Sequence, residues 1–431
     1  MPPEEDYYYD TESNLWLNNN RNFSSFLLNN YFKIDYESID DFEIIYRFQN
    51  EVHNLLYRFI NGRFPENYWT GKVSINLSAL KKIVLTLQKR ISGNPLLFKG
   101  QIATVPEMYF YPVKIVAGIL SEAYILLESL IPINQTSIIV NDVKSLENWR
   151  LNSIPEDHNY LKPVFRLSEF IKNFRHLINS FFIHGSVATH EYIKNYSDLD
   201  TLVIIKSETV KNFEAILELR EYIIKTNICL FQIDSLMHHG IMCFSEIDTR
   251  FYPETYFPLL IFDYSICIYS NSDSMIFYPR DVRKDTYAML AQFYEYFSNQ
   301  HFKYNYNTNA FYSKNYLQNL LILPCLYYQA MNQRYIYKKD SFEEVSKTFS
   351  SEAWLPISEA SWIRLLYKNK PLLSFFFNLM LNKVVSYKLL LSLEKKLKKD
   401  LTCFQNFQGN NFKKSGFELV QKMILNLVEH V

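Results

Sequence analysis

The stretch "FFIHGSVATHEYIKNYSDLDTLVII", from Phe181 to Ile205, holds the residues best suited to chemistry in this chain of 431. Gly185 and Ser186 follow an apolar run that reads as a short buried strand, and Ser186 opens a helix-like segment. A backbone without Cβ lets a ligand come close, and a helix start presents unpaired N–H groups. The Gly185–Ser186 turn therefore fits a small phosphate cradle. Eleven residues separate Ser186 from Asp198, and Asp200 follows directly before a second apolar run. Alternate side chains of a strand share a face, so the two carboxylates point the same way while Leu199 and Thr201 point away. Two parallel carboxylates repel unless a cation lies between them, and Mg2+ is held by such pairs together with phosphate oxygens and water. Asp234, in "LFQIDSL", is placed to add a third carboxylate from a neighbouring strand, which would complete a two-metal clamp.

An apolar strand, Gly-Ser, an eleven-residue gap, Asp-x-Asp opening a strand and a later strand aspartate together resemble the nucleotidyltransferase superfamily of DNA polymerase beta. The likeness covers roughly residues 165–270. "YSDLD" is similar to the form seen in the minimal and small-molecule members, and the helical segment that follows resembles the kanamycin-type enzymes. The resemblance implies that Gly185 and Ser186 hold the nucleotide phosphates, that Asp198 and Asp200 bind Mg2+, and that Asp234 helps bind metal and activates the attacking hydroxyl. It implies transfer of a nucleoside monophosphate from an NTP, ATP foremost, to a hydroxyl on a small molecule, a protein side chain or an RNA end. Two other readings stay open. Gly185 is a tight bend and Ser197–Asp198 a turn or cap, or the fold is kept without catalysis as a partner-binding module.

Further candidates lie nearby. "SLMHHGIMCF" carries His238, His239 and Gly240 just past Asp234, where a histidine would contact phosphate, base or acceptor, or simply occupy a turn. His184 reads as a strand-end packing residue. "HEYIK" at 190–194 resembles the start of a zinc-protease helix, but Lys194 stands where the second histidine belongs, so zinc is rejected. Lys194 is a candidate partner for a triphosphate, or a solvated helix lysine. Lys338–Lys339 precedes a helix with Ser341 and Glu344 as a capping box, and would reach the nucleotide from the carboxy-terminal side. No Ser-His-Asp order, Walker loop or Rossmann glycine set is present.

The elements that must position these residues follow from periodicity. Phe42, Ile45, Phe48, Val52, Leu55, Leu56 and Phe59 recur at helical spacing. "NLSALKKIVLTLQKRISG" reads as a second helix capped by Asn76 or Ser78, and 113–131 as a third, with 93–112 between them as a loop. From 166 onward, "RLSEFIKNFRHLINS", "VATHEYIK" and "SETVKNFEAILELREYIIKT" read as helices. "FFIH", "LDTLVIIK", "ICLFQIDSL", "IMCF" and "LLIFDYSICIY" read as strands. After Pro279 the chain reads as helix again, at about 284–299, 312–332, 341–350, 358–368, 371–397 and 415–429. The fold class is α+β: a mixed sheet with packed helices (161–280), between a helical amino-terminal region (1–160) and a helical carboxy-terminal domain (281–431).

Bulk composition narrows the partners. Lys+Arg and Asp+Glu balance at 45 each, which argues against tracking along a long duplex or adhering to an anionic membrane. The densest basic run, "EKKLKKD" at 394–400, reads as one solvated helix face. Cys229, Cys243, Cys267, Cys325 and Cys403 show no metal or redox spacing and read as free thiols of a cytoplasmic protein. The start, "MPPEEDYYYDTESN", lacks the order of a signal peptide. The apolar stretches 113–133 and 371–393 are interrupted by Glu122, Glu128, Asn382 and Lys383, so each reads as a buried helix.

Overall fold

The first described helix, α1 (Asp41–Ile60), starts where the Asp40 carboxylate accepts the Glu43 N–H at 2.7 Å, satisfying one of the donors a helix start leaves unpaired. Ile44, Phe48, Val52, Leu56 and Phe59 bury its inner face. The structure is a computed structural model. It describes residues 40–64, 72–90, 101–131, 136–141, 143–151, 154–194, 196–230, 239–254, 257–280, 310–366 and 409–430, with residues 66, 67, 70, 233 and single positions between 286 and 298.

Three short strands follow, β1 (Glu66–Asn67), β2 (Lys72–Asn76) and, later, β3 (Met108–Pro112), in an antiparallel sheet of order β1-β2-β3. Between β2 and β3 lies α2 (Ser78–Arg90), where the Asn76 side chain accepts the Ser78 N–H at 3.0 Å. The expected loop 93–112 thus contains structure: a helical turn, Gln101–Thr104, and β3. β3 is held by long-range pairing to β2 that local periodicity does not report. Next comes α3 (Val113–Leu130), a buried helix as expected. No helix among the described residues is long and apolar enough to cross a membrane; the stretch 371–393 lies outside them.

The central sheet is built from β5 to β9. In chain order the elements are β4 (Ile138–Asn141), β5 (Lys144–Ser145), α4 (His158–Lys172), β6 (Ile178–His184), α5 (Gly185–Ala188), β7 (Asp200–Ile205), α6 (Phe213–Leu230), β8 (Met242–Ser245), β9 (Ile266–Ser270) and β10 (Ser274–Phe277). The sheet order is β5-β9-β6-β7-β8. β5 runs parallel to β9 and β7 to β8, while β9–β6 and β6–β7 are antiparallel. The fold is therefore α+β with a mixed sheet, as the sequence indicates. Period-two alternation sorts its side chains. Phe181, Ile183, Val203 and Ile205 join the large core with α1, α3, α4 and α6. Phe182, Leu202, Ile204 and Phe244 join an aromatic cluster with Tyr252, Phe257, Phe262 and Phe277 on the other face.

Several local expectations are corrected. "RLSEFIKNFRHLINS" is helical only to Lys172, because Ile178 onward is drawn into the sheet, and the helix begins earlier, at His158. "VATHEYIK" does not continue as helix beyond Ala188. His190 sits at φ 60°, stacked on Trp149 at 4.9 Å, which bends the chain away. "ICLFQIDSL" is not a strand at its start: residues 228–230 complete α6, and Asp234 lies outside the described residues. In "LLIFDYSICIY" only Ile266 onward is strand, the preceding Leu259–Tyr264 being a tight helical turn.

Among the described residues, four helices with continuous ranges follow: α7 (Ala310–Asn332), α8 (Lys338–Ser346), α9 (Ser351–Leu366) and α10 (Gly409–His430). They share a third apolar cluster, which includes Tyr196 from the loop before β7. The Ser341–Glu344 capping box is not formed. α8 starts three residues earlier, and the Ser341 hydroxyl is buried and donates back to the Lys338 carbonyl at 2.6 Å. Cys243, Cys267 and Cys325 are free thiols.

One buried acid ties α1 and α3 to the end of β8. Asp248 is fully buried and accepts from the Ser245 N–H (2.8 Å), the Ser245 hydroxyl (2.7 Å), Gln49 (3.1 Å) and Tyr124 (3.2 Å). Whichever way it turns, an Asp248→Asn amide sets its N–H2 against a group that can only donate, the Ser245 N–H on one side or the Gln49 N–H2 on the other. We expect it to cost about 2 kcal/mol of stability, since a buried polar group left unpaired costs about 1–3 kcal/mol. Urea unfolding measures it, and an unchanged midpoint would contradict the network.

Candidate active site

β6 ends at His184, and the chain turns at Gly185 with φ 71°, in the left-handed region. The ladder pairs His184 with Asp200, which brings the Asp200 carboxylate over the turn. A Cβ at position 185 would clash with Asp200 Oδ2 and lie only 3.1 Å from its Cγ. The glycine therefore answers two needs: a backbone angle that L side chains avoid, and room for a carboxylate. Gly185 opens α5, and Ser186 follows it there, partly exposed.

Asp198 precedes β7 rather than lying within it, so strand alternation alone does not align it with Asp200. A third residue shows that the two converge. His239 Nε2 lies 3.2 Å from Asp198 Oδ2 and 2.9 Å from Asp200 Oδ1. Ligand atoms of Asp198, Asp200 and His239 all fall within 4.8 Å of one another, close enough to hold a metal ion. Burial alone would lower the His239 pKa, but hydrogen bonds to both carboxylates reverse this and push it up to about 10. Burial raises the Asp200 carboxyl, but the His239 bond and charge prevail and hold it below the usual range. His184, next to them, is pushed down to about 4 by burial, and its Nε2 has no hydrogen-bond partner. Its ring meets Phe257 edge to face at 4.7 Å, so it is the packing residue expected at a strand end.

His239 is held from the amino-terminal region. The Asn61 side chain at the end of α1 donates to the Ile241 carbonyl and accepts the Ile241 N–H, each at 2.9 Å. A Cβ at Gly240 would lie 3.1 Å from Asn61 Cβ and closer still to its amide, so the loop carrying His239 is pressed against that asparagine. Other groups reach the carboxylates from α7. Lys314 pairs with Asp198 Oδ1, both side chains being nearly fully buried, and Gln318 donates to Asp198 Oδ2 at 3.1 Å. Sequence reading missed both. Lys314 and Gln318 stand four residues apart, so they share a helix face, but nothing local indicates which acid they meet.

The remaining candidates are placed as follows. The Lys194 ammonium is engaged by Asp157, which also accepts from the Tyr192 hydroxyl, so it anchors the loop before β7 rather than joining the cluster. Lys339 pairs with Glu191 at 2.7 Å, and Tyr337 donates to the same carboxylate at 3.0 Å. Lys338, between them, is within electrostatic reach of Asp198 and Asp200. Asp234 and His238 lie outside the described residues.

The raised His239 pKa has a testable consequence for stability in the absence of divalent ions. The folded protein holds this proton more tightly than the unfolded chain, with about 10 against the ordinary 6.5. The stabilisation is therefore complete below pH 6.5 and is lost as pH rises toward 10. In EDTA, wild-type stability is expected to fall across this window more steeply than that of His239→Gln. Melting curves from pH 6 to 10 check it, and parallel pH profiles would count against the bridge.

No protein-family model matches the chain, and no curated protein matches it. Among solved structures, the spectinomycin adenyltransferase of Enterococcus faecialis, determined with ATP and spectinomycin, is similar with a TM-score of 0.28. The two are 13% identical, over 54% of this chain and 98% of that one. At that TM-score the likeness decides nothing about the chemistry.

Proposed function

We propose that the chain is a metal-dependent nucleotidyltransferase that moves a nucleoside monophosphate from an NTP to a hydroxyl acceptor. The observation that carries this is the convergence of Asp198, Asp200 and His239 on the turn at Gly185, where the missing side chain makes room for the Asp200 carboxylate. Two carboxylates suit a hard divalent ion such as Mg2+, which takes oxygen ligands and shares its shell with phosphates. An imidazole suits Mn2+ or a softer ion at least as well, so the donor set fits a divalent cation without selecting one. When bound, such an ion neutralises charge on the phosphate oxygens.

The protein's own groups do the rest. Asp198 and Asp200 would hold the cation, with His239 either ligating it or turning its N–H to a phosphate oxygen. Gly185 and Ser186 would border the nucleotide phosphates, with Lys338 approaching them from α8. Asp234 remains our candidate for polarising the acceptor hydroxyl, as the family resemblance implies, and Lys194 is the weakest member of the nucleotide-binding set because Asp157 already holds it. ATP is the first nucleotide to test and a small-molecule hydroxyl the first acceptor, since balanced charge offers no tract for a long duplex.

A second reading has one observation in its favour. The carboxylates are already met by His239 and the buried Lys314, an arrangement that would also suit a non-catalytic fold that binds a partner. One experiment separates the two. The protein is incubated with each labelled NTP and Mg2+ or Mn2+, and every product, the protein included, is weighed by mass spectrometry. Nucleotide-dependent mass gain or pyrophosphate release supports transfer. Absence of both, with no metal-dependent nucleotide binding by calorimetry, supports the non-catalytic reading.

A further inference from the structure

We infer that the site takes one divalent cation rather than two, and that Lys314 supplies the second positive charge as a fixed part of the fold. The inference rests on the metal-dependent reading above and alters its stoichiometry. A carboxylate shared between two ions offers one oxygen to each, or to both a single oxygen clear of other donors. Asp198 cannot do so here. Its Oδ1 is taken by the Lys314 ammonium, and its Oδ2 faces both Gln318 at 3.1 Å and His239 at 3.2 Å. Asp200, by contrast, has Oδ1 on His239 at 2.9 Å and a side chain still 30% exposed, so it is the more open ligand.

Lys314 is not a side chain resting by chance on a carboxylate. Its side chain is 1% exposed and that of Asp198 3%, and the ammonium also stands 5.1 Å from the centre of the Tyr196 ring. An ion pair sealed in this way cannot open without leaving an uncompensated charge in the interior. A dissolved cation competing for Oδ1 would have to expel Lys314 from a pocket formed by α7 and the loop before β7, which also belong to one apolar cluster. The two carboxylates bring two negative charges. Lys314 balances one, and a single divalent ion, once His239 has yielded its place, meets the remainder together with the nucleotide phosphates. Lys314 is thus a positioning residue: it sets the orientation of Asp198 and limits how many cations that residue can serve.

The test counts ions on the full chain. Wild-type protein is dialysed to equilibrium against Mn2+ with the α,β-methylene analogue of ATP present in both compartments, and bound Mn2+ per chain is measured at saturation. One ion per chain is expected. Two ions in the wild-type protein would overturn the inference and leave metal-dependent transfer standing, whereas no bound ion, with or without the analogue, would overturn both. Lys314→Met, and Lys314→Gln, which keeps a hydrogen-bond donor, are measured alongside after melting curves identify the folded variant. Either is expected to gain a second Mn2+ site or to bind the first at least about tenfold more tightly. A folded variant that still binds one ion with unchanged affinity would show that Lys314 does not stand in for a cation. If neither variant folds, the wild-type count decides the question by itself.

Discussion

Asp200→Asn is expected to fold and to lose nucleotidyl transfer by at least about a thousandfold. The amide keeps the size of the side chain, so the turn at Gly185 still closes over it, but it removes a charge on which the site depends. Asp200 is the more exposed of the two carboxylates and is held ionised by His239. Groups that stabilise charge developing in a transferring phosphoryl group are each worth about a hundred- to a thousandfold, and a ligand to the neutralising cation stands at the upper end. Pyrophosphate release under saturating NTP gives the rate, and Mn2+ binding gives an independent readout. If Asp200→Asn turns over within tenfold of wild type, Asp200 does not hold the cation and the proposed mechanism falls. Asp198→Asn should be similarly inactive but less stable, because it strips the buried Lys314 of its counter-charge.

Gly185→Val is expected to be the most damaging single change at the turn, costing at least about 3 kcal/mol. An L residue forced into the left-handed region costs about 1–2 kcal/mol, and more for a β-branched one. Overpacking a filled site adds about 1–3 kcal/mol. Here the clash is with the Asp200 carboxylate itself, so the damage is also to the site. Gly185→Ala carries the same Cβ with less bulk and should be intermediate. Denaturant unfolding measures the first effect and Mn2+ affinity the second. Equal stability of the Val and wild-type proteins would mean that the turn relaxes freely, and the close approach to Asp200 would then have no functional weight. Ser186→Ala, which adds no bulk, should leave stability unchanged and lower nucleotide affinity only modestly.

Much of the scaffold was legible because its signals are local. The helical spacing in α1, the Asn76 side chain at the start of α2 and the largely apolar run of α3, broken only by a few polar residues, are all local signals, and the structure has those helices where the pattern puts them. Boundaries failed where a distant partner intervened. The end of α4 yields to β6 because the sheet pairs Ile178 with Ile205 and, from Ser180 on, β6 with β9 as well, and β3 is held by its pairing with β2. The Ser341–Glu344 motif fitted a cap in sequence, but the helix began earlier and the serine went inside. Propensity is a weak prior that tertiary contacts override.

The sequence by itself determined which residues had the chemistry: Gly185 before a turn, Asp198 and Asp200 ahead of an apolar strand, and a histidine pair further on whose use it left open. Those are facts of residue type and spacing, and spacing along a strand or turn limits where a side chain can point. Only the tertiary structure decided what the carboxylates meet. Lys314 and Gln318 lie 116 and 120 residues from Asp198, and Asn61 lies 180 residues from the Ile241 backbone it holds. An ion pair or a buried amide bond depends on through-space distance and on exclusion of water. Helical or strand periodicity carries neither quantity. It marks Lys314 as a lysine in an apolar helix, and only the packing of that helix against the loop before β7 turns it into the fixed counter-charge of Asp198.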